Sequence, residues 1–263
     1  MTDYQAIFNA VETSLIRAGA QHLPELTIRQ RLDEFKHVAS KKFTDADYFD
    51  ALMCIPFYSG FKAQTVEEHK DTIRAYFCDC ETAAGYDHVK VTEILDDPQM
   101  IRHRRKVQAC VDNAKAFKAI IGQYDSFQGY VDSFCTKASS ENLMRLRADL
   151  RQRFRFLGKI TAYHYLTDIG MPVLKPDRVI RRVFFRLGLI DSTGESETQL
   201  HKVLAQGERF VQATGHPIRY LDIVFVTYGQ LESPHVGLQR GICLEERPQC
   251  EVCDARPYCR YPI

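Results

Sequence analysis

Cys243, Cys250, Cys253 and Cys259 stand in the order C-x6-C-x2-C-x5-C near the end of a 263-residue chain. Four thiolates so close in sequence suit either a tetrahedral zinc ion or an iron–sulfur cluster. Structural zinc sites usually present two short C-x2-C knuckles, and here there is one, Cys250–Cys253, between two longer arms. The spacing also departs from the ferredoxin runs, which disfavours a dedicated electron carrier. A disulfide framework belongs to short secreted chains rather than to one of this length. Cys54, Cys78, Cys80, Cys110 and Cys135 have no metal-binding spacing and read as buried or free thiols.

Two other stretches carry chemistry. Leu157, Gly158, Lys159, Ile160 and Thr161 lie between two helical segments. A glycine there lets the backbone come close to a phosphate, and the free amides of the next helix point their positive end at it. Arg155 and Lys159 add charge. Asp177 directly precedes the amphipathic run RVIRRVFFRLG, so it is placed to cap that helix. A carboxylate in that position is held in its charged form by the dipole and amides. An ionised carboxylate can also stabilise an oxocarbenium-like sugar or activate water. A third stretch, Phe57, Tyr58 and Phe61 beside Gly60, offers aromatic faces that could hold an extruded base.

The elements that must position these residues read as helices almost throughout. Ile7, Phe8, Val11, Leu15 and Ile16 follow a helical period over 4–19. Further helices are expected over 28–42, 46–55, 65–76, 90–96, 99–122, 127–135, 141–153, 159–169, 178–188, 197–213 and 217–228, with Gly122 closing the longest. Strand signals are nearly absent, which predicts an all-α fold. No run approaches the ~20 apolar residues of a membrane span, and the start lacks a basic segment before an apolar one. Nine cysteines suit a reducing cytoplasm or nucleoid. The net charge of +1 hides polarity: residues 101–118 and 141–190 together carry +12, against −11 elsewhere. Such asymmetry fits a neutral protein with one face turned to a polyanion.

The cysteine spacing resembles, at every interval, the [4Fe-4S] loop of endonuclease III-type helix-hairpin-helix DNA glycosylases. That family carries a hairpin and the loop in the same order, and its catalytic aspartate ends a segment like GMPVLKPD, residues 170–177. Two stretches resemble a different branch, 3-methyladenine DNA glycosylase I. These are ILDDPQMIRHRRKVQACVDNAKAF, residues 94–117, and FRFLGKITAYHYLTDIG, residues 154–170, with its F-basic-F-aliphatic-G lead-in. There are departures. The endonuclease III-type hairpin usually has two glycines, and Phe156 occupies the first position. The zinc motif of the methyladenine branch is missing, as is the tryptophan of its base pocket.

These resemblances imply a two-lobed, all-α DNA glycosylase with a C-terminal [4Fe-4S] cluster loop. A six-helix lobe with the hairpin would span 46–171, and the cluster lobe would combine 1–45 with 172–263. Asp177 would be the catalytic residue, 157–161 the DNA-binding turn, and Phe57, Tyr58 and Phe61 the pocket or wedge, with Cys243, Cys250, Cys253 and Cys259 ligating the cluster. The partner would be double-stranded DNA containing damaged bases, met by a monomer. In bifunctional members a Schiff-base lysine precedes the Thr-Ala pair, and here that residue is Ile160. The implied reaction is therefore monofunctional hydrolysis of the N-glycosidic bond, with alkylated purines the expected lesions. A pyrimidine- or mismatch-directed glycosylase and a non-catalytic, damage-recognising DNA-binding protein are the alternatives. The Leu244–Gln249 loop has Glu245 and Glu246 against Arg247, so a DNA contact there is not expected.

Overall fold

The computed structural model describes residues 2–134 and 140–262; Cys135 lies outside them. Among the described residues there is no β-strand, only an isolated bridge between Ser233 and Leu238. The chain divides into two compact units, Lys42–Ile169 and Met1–Lys41 with Gly170–Ile263. No helix among the described residues is long and apolar enough to cross a membrane.

The first unit comprises helices α3 (Asp45–Tyr58), α4 (Ala63–Tyr76), α5 (Cys80–Ala84), α6 (His88–Asp96), α7 (Arg104–Tyr124), α8 (Phe127–Phe134), α9 (Ser140–Arg153) and α10 (Thr161–Asp168). A reciprocal capping box starts α3, with Thr44 and Asp47 each bonding the other's backbone amide. The helix then runs past the expected stop at 55 and through Pro56 in its last turn. Helix α7 starts later than expected, because Asp97 folds the chain locally: its side chain accepts from Gln99 N at 2.7 Å and its carbonyl from Met100 N at 3.1 Å. It also passes Gly122 and stops at Asp125, whose φ of 65° places it in the left-handed C-cap conformation. Buried Val107, Cys110, Val111, Ala114 and Phe117 make α7 the axis of this unit. Phe117 stacks on Phe127 with centroids 4.6 Å apart, and Phe49 and Tyr48 complete the aromatic centre. Each such ring contributes about 1.5–3 kcal/mol on burial.

The second unit holds α1 (Tyr4–Gly19), α2 (Glu25–Asp33), α11 (Arg178–Arg186), α12 (Glu197–Thr214) and α13 (Ile218–Gly229). Two short 3-10 turns replace the end of the helix expected over 28–42. Asp3 caps α1 by accepting from Ala6 N at 2.9 Å, and the apolar stripe of α1 packs on α12 and α13. Phe184, Phe210 and Phe225 form its core, with centroid separations of 4.9–5.6 Å.

Candidate active site

The hairpin joins α9 to α10 through residues 154–160 and is anchored from below by buried Phe154 and Leu157. Leu157 is thus a core anchor, and its side chain does not face a ligand as expected of a DNA-binding residue. Buried Asn113 on α7 accepts from Arg155 N at 2.7 Å and donates to Arg155 O at 3.2 Å. Thr161 Oγ1 accepts from Gly158 N at 2.7 Å and donates to Phe156 O at 2.6 Å. Buried Arg147 donates to Lys159 O at 3.0 Å. With the turn braced at these three points, the amides of Lys159, Ile160 and Thr161 find no acceptor among the described residues. Those amides at the start of α10 are the donors a phosphate oxygen can use.

The strained residue of this turn is not Gly158 but Phe156, with φ at 61°. A left-handed conformation costs a residue with a Cβ about 1–2 kcal/mol. Gly158 has a non-positive φ and room for a Cβ, whose nearest neighbour would be Thr161 Oγ1 at 3.7 Å. Its place in the turn is therefore not required by the chain's own packing.

The Phe57–Phe61 stretch turns at Gly60, φ 91°. Phe57 is fully buried in the core, which removes it from the pocket or wedge set. Tyr58 donates its hydroxyl to the Glu67 carboxylate, and its ring lies 4.6 Å from that of His164. Phe61 is exposed at 36% and meets His103 edge-on. Sequence reasoning missed Lys106 of α7, which is 3% exposed and donates to the carbonyls of Pro56 and Ser59. Its ammonium lies 5.3 Å from the Phe61 ring and 4.8 Å from that of Phe156. Burial pulls its pKa down. The signal was there: Lys106 and Asn113 interrupt the buried 106–110–113–117 stripe of α7 with polar side chains.

Asp177 caps α11, with Oδ1 accepting from Val179 N at 2.9 Å and Ile180 N at 3.0 Å. Oδ2 lies 3.3 Å from Lys175 Nζ, and the side chain is 22% exposed. The approach to Asp177 is braced by Asp222 of α13, which accepts from Lys175 N at 3.0 Å and from Arg219 Nη1 at 2.6 Å. Burial raises the Asp222 pKa, opposed by Arg219 and Lys175. A carboxyl raised above its unfolded value of about 3.9 binds more protons folded than unfolded. Its contribution to stability is therefore lost as pH rises between the two values. Asp222→Asn should flatten that slope in denaturation curves taken across mildly acid pH, and near neutrality should change stability by about 1–3 kcal/mol. An unaltered slope would contradict this assignment.

At its other end α11 holds the cysteine segment. Arg186 Nη1 donates to Cys243 Sγ at 3.4 Å and to Leu244 O, and Nη2 to Glu245 O at 2.9 Å. Arg182 Nε donates to Cys243 O at 3.2 Å. Cys253 Sγ lies 2.7 Å from the Tyr228 hydroxyl, and Cys259 Sγ accepts from Tyr261 N at 3.4 Å. Cys259 acts electrostatically on both Cys243 and Cys253, and Cys250 on Cys253, so the four thiols share one neighbourhood. Among the described residues, no three His, Cys, Asp or Glu are gathered as a metal-binding group. The donor set itself, four thiols with N–H and O–H donors at three of the sulfurs, fits the chemistry of a thiolate-bound cluster.

The profile of the methyladenine glycosylases matches residues 37–175, more than half of the chain. The chain belongs to the methyladenine glycosylase family. It is accordingly a DNA glycosylase of base excision repair, an enzyme that hydrolyses N-glycosidic bonds. The match contains the hairpin, Lys106 and the Phe57–Phe61 stretch, whereas Asp177 and the four cysteines fall beyond it. Among solved structures, the chain is similar to the Methanocaldococcus jannaschii 8-oxoguanine glycosylase/lyase in complex with 15mer DNA containing 8-oxoguanine. That likeness has 18% identity, covers 81% of this chain and 94% of that one, and gives a TM-score of 0.56. The 8-oxoguanine DNA glycosylase of Thermotoga maritima gives 17%, 84%, 96% and 0.54 in the same order. The 3-methyladenine DNA glycosylase I of Staphylococcus aureus gives 23%, 53%, 84% and 0.46. The first two share the all-α fold across most of their length. Within this methyladenine glycosylase, residues 37–175 supply the gripping turn and its braces, and the flanking segments supply the capped carboxylate and the thiols.

Proposed function

We propose that this glycosylase is monofunctional and releases alkylated purines from duplex DNA by water attack, leaving an abasic site. The family match over residues 37–175 carries the lesion assignment. The hairpin amides of Lys159, Ile160 and Thr161 grip a phosphate, and Asp177, ionised at the start of α11, stabilises the sugar cation or orients water as the base departs. Ile160 supports the monofunctional reading, since it offers no amine at the position from which a lysine would attack the sugar. The thiolates of Cys243, Cys250, Cys253 and Cys259 would hold a [4Fe-4S] cluster that supplies structural closure of the C-terminal segment. Arg182 and Arg186 orient that segment, and the chain acts as a monomer in the nucleoid.

Base release from duplexes carrying single defined lesions, measured in competition, tests the substrate. Release of alkylpurines with intact strands is expected; release of oxidised or mismatched pyrimidines but no alkylpurine would overturn it. One observation favours a second reading. The buried ammonium of Lys106 beside Phe61 repels a cationic alkylated base, so a neutral lesion would be preferred if that ring lines the pocket. Faster release of neutral than of cationic purine lesions in the same competition would select it.

A further inference from the structure

Beside the hairpin, the first turns of α7 and the segment 155–156 enclose an open cleft of about 330 Å³. Arg104, Arg105 and Arg155 line it together with Phe156, against a single carboxylate, Asp112, to which Gln108 donates at 3.1 Å. Among the described residues the guanidiniums of Arg105 and Arg155 have no hydrogen-bond or ion-pair partner, and that of Arg104 meets only the neutral hydroxyl of Thr92 at 3.1 Å. Three neighbouring cations without their own counter-charges call for an external anion, and the planar fork of arginine matches the oxygens of a phosphate. The backbone of Arg155 is fixed on both sides by Asn113, so this cation is presented from a rigid base.

Phe156 adds the second element. Its left-handed backbone is one a glycine would adopt without strain, yet the chain keeps a half-buried phenyl ring there, backed by the Lys106 ammonium and lining the cleft. An aromatic face beside a row of guanidiniums is the arrangement that takes a nucleotide, the phosphate on the cations and the base on the ring. We propose that this cleft is a nucleotide subsite: Arg104, Arg105 and Arg155 hold a phosphate of the bound DNA, and Phe156 stacks an unpaired base of the same DNA. The proposal rests on the reading that the chain grips DNA through the adjacent hairpin.

Fluorescence anisotropy with a fully paired duplex and with the same duplex bearing one unpaired nucleotide, each over a salt series, tests it. R105A/R155A should reduce the slope of log affinity against log salt by about two on both duplexes, roughly 0.9 per lost phosphate contact. F156G, which relaxes the backbone, should weaken the duplex with the unpaired nucleotide about tenfold and leave the paired one within about twofold. F156L, which keeps bulk but lacks a π face, should behave likewise, and F156W should retain wild-type binding. An unchanged salt slope would overturn the phosphate assignment, and equal losses on both duplexes in F156G and F156L would reduce Phe156 to framework. Displacement of the paired duplex by a free nucleoside monophosphate, abolished in R105A/R155A, would overturn the assignment to DNA. Base release is read separately. A protein that shows these binding changes but frees no base defeats the glycosylase reading and leaves the subsite, whereas normal release without them defeats the subsite alone.

Discussion

Asp177→Asn should lower single-turnover base release by about 10²- to 10⁴-fold, the contribution typical of a positioned acid–base group, with DNA affinity little changed. Asparagine keeps an oxygen where Oδ1 accepts from Val179 N and Ile180 N, so the start of α11 stays capped and the fold intact. What disappears is the negative charge on Oδ2, 3.3 Å from Lys175. Asp177→Ala would confound the two roles, because losing the cap alone costs about 1 kcal/mol. Release by Asp177→Asn within a fewfold of wild type, at equal DNA occupancy, would exclude the carboxylate from the chemistry.

Cys253→Ser should abolish cluster retention and lower the melting temperature by about 10 °C or more. Metal ligation to thiolates contributes on the order of 10 kcal/mol to small folded sites, and each kcal/mol shifts the melting point of a protein this size by about 2–4 °C. The full shift is smaller than that product, since Arg182 and Arg186 hold Leu244, Glu245 and the Cys243 carbonyl independently of any metal. Iron and acid-labile sulfide assayed after anaerobic purification should approach about four of each per chain in the wild type and fall to background in the variant. Zinc in place of iron, or a variant that melts with the wild type, would defeat the cluster assignment. Arg186 provides a graded check: Arg186→Lys removes the forked contact to the Leu244 and Glu245 carbonyls and should weaken retention less than loss of a cysteine.

Some of this site is written in local pattern. Asp177 before RVIRRVFFR and Thr44 before Asp47 are caps readable from neighbours within three residues, and both form as expected. The amphipathic periods of α1, α7, α12 and α13 follow from burying one stripe per helix. Errors arose where a local rule met a competing partner. Gly122 was expected to stop α7, but an exposed glycine is tolerated inside a helix, and the stop fell to Asp125, which tolerates the left-handed conformation. Phe57 had an aromatic's credentials for a pocket, yet its side of α3 faces the core. Leu157 likewise belongs to the anchor beneath the turn and not to its outer surface.

The sequence by itself determined an all-α chain, the order of its helices, the hairpin's place between two of them and the cap at Asp177. Each depends on periodicity or on contacts a few residues apart, which a linear string records. Only the tertiary structure decided that Lys106 reaches the Pro56 and Ser59 carbonyls, that Asn113 and Arg147 brace the hairpin, that Asp222 fixes the approach to Asp177, and that Phe156 carries the left-handed bend. These partners lie up to about fifty residues apart, and a buried polar group takes whichever acceptor packing brings within reach, because leaving it unbonded costs more than any local preference can return.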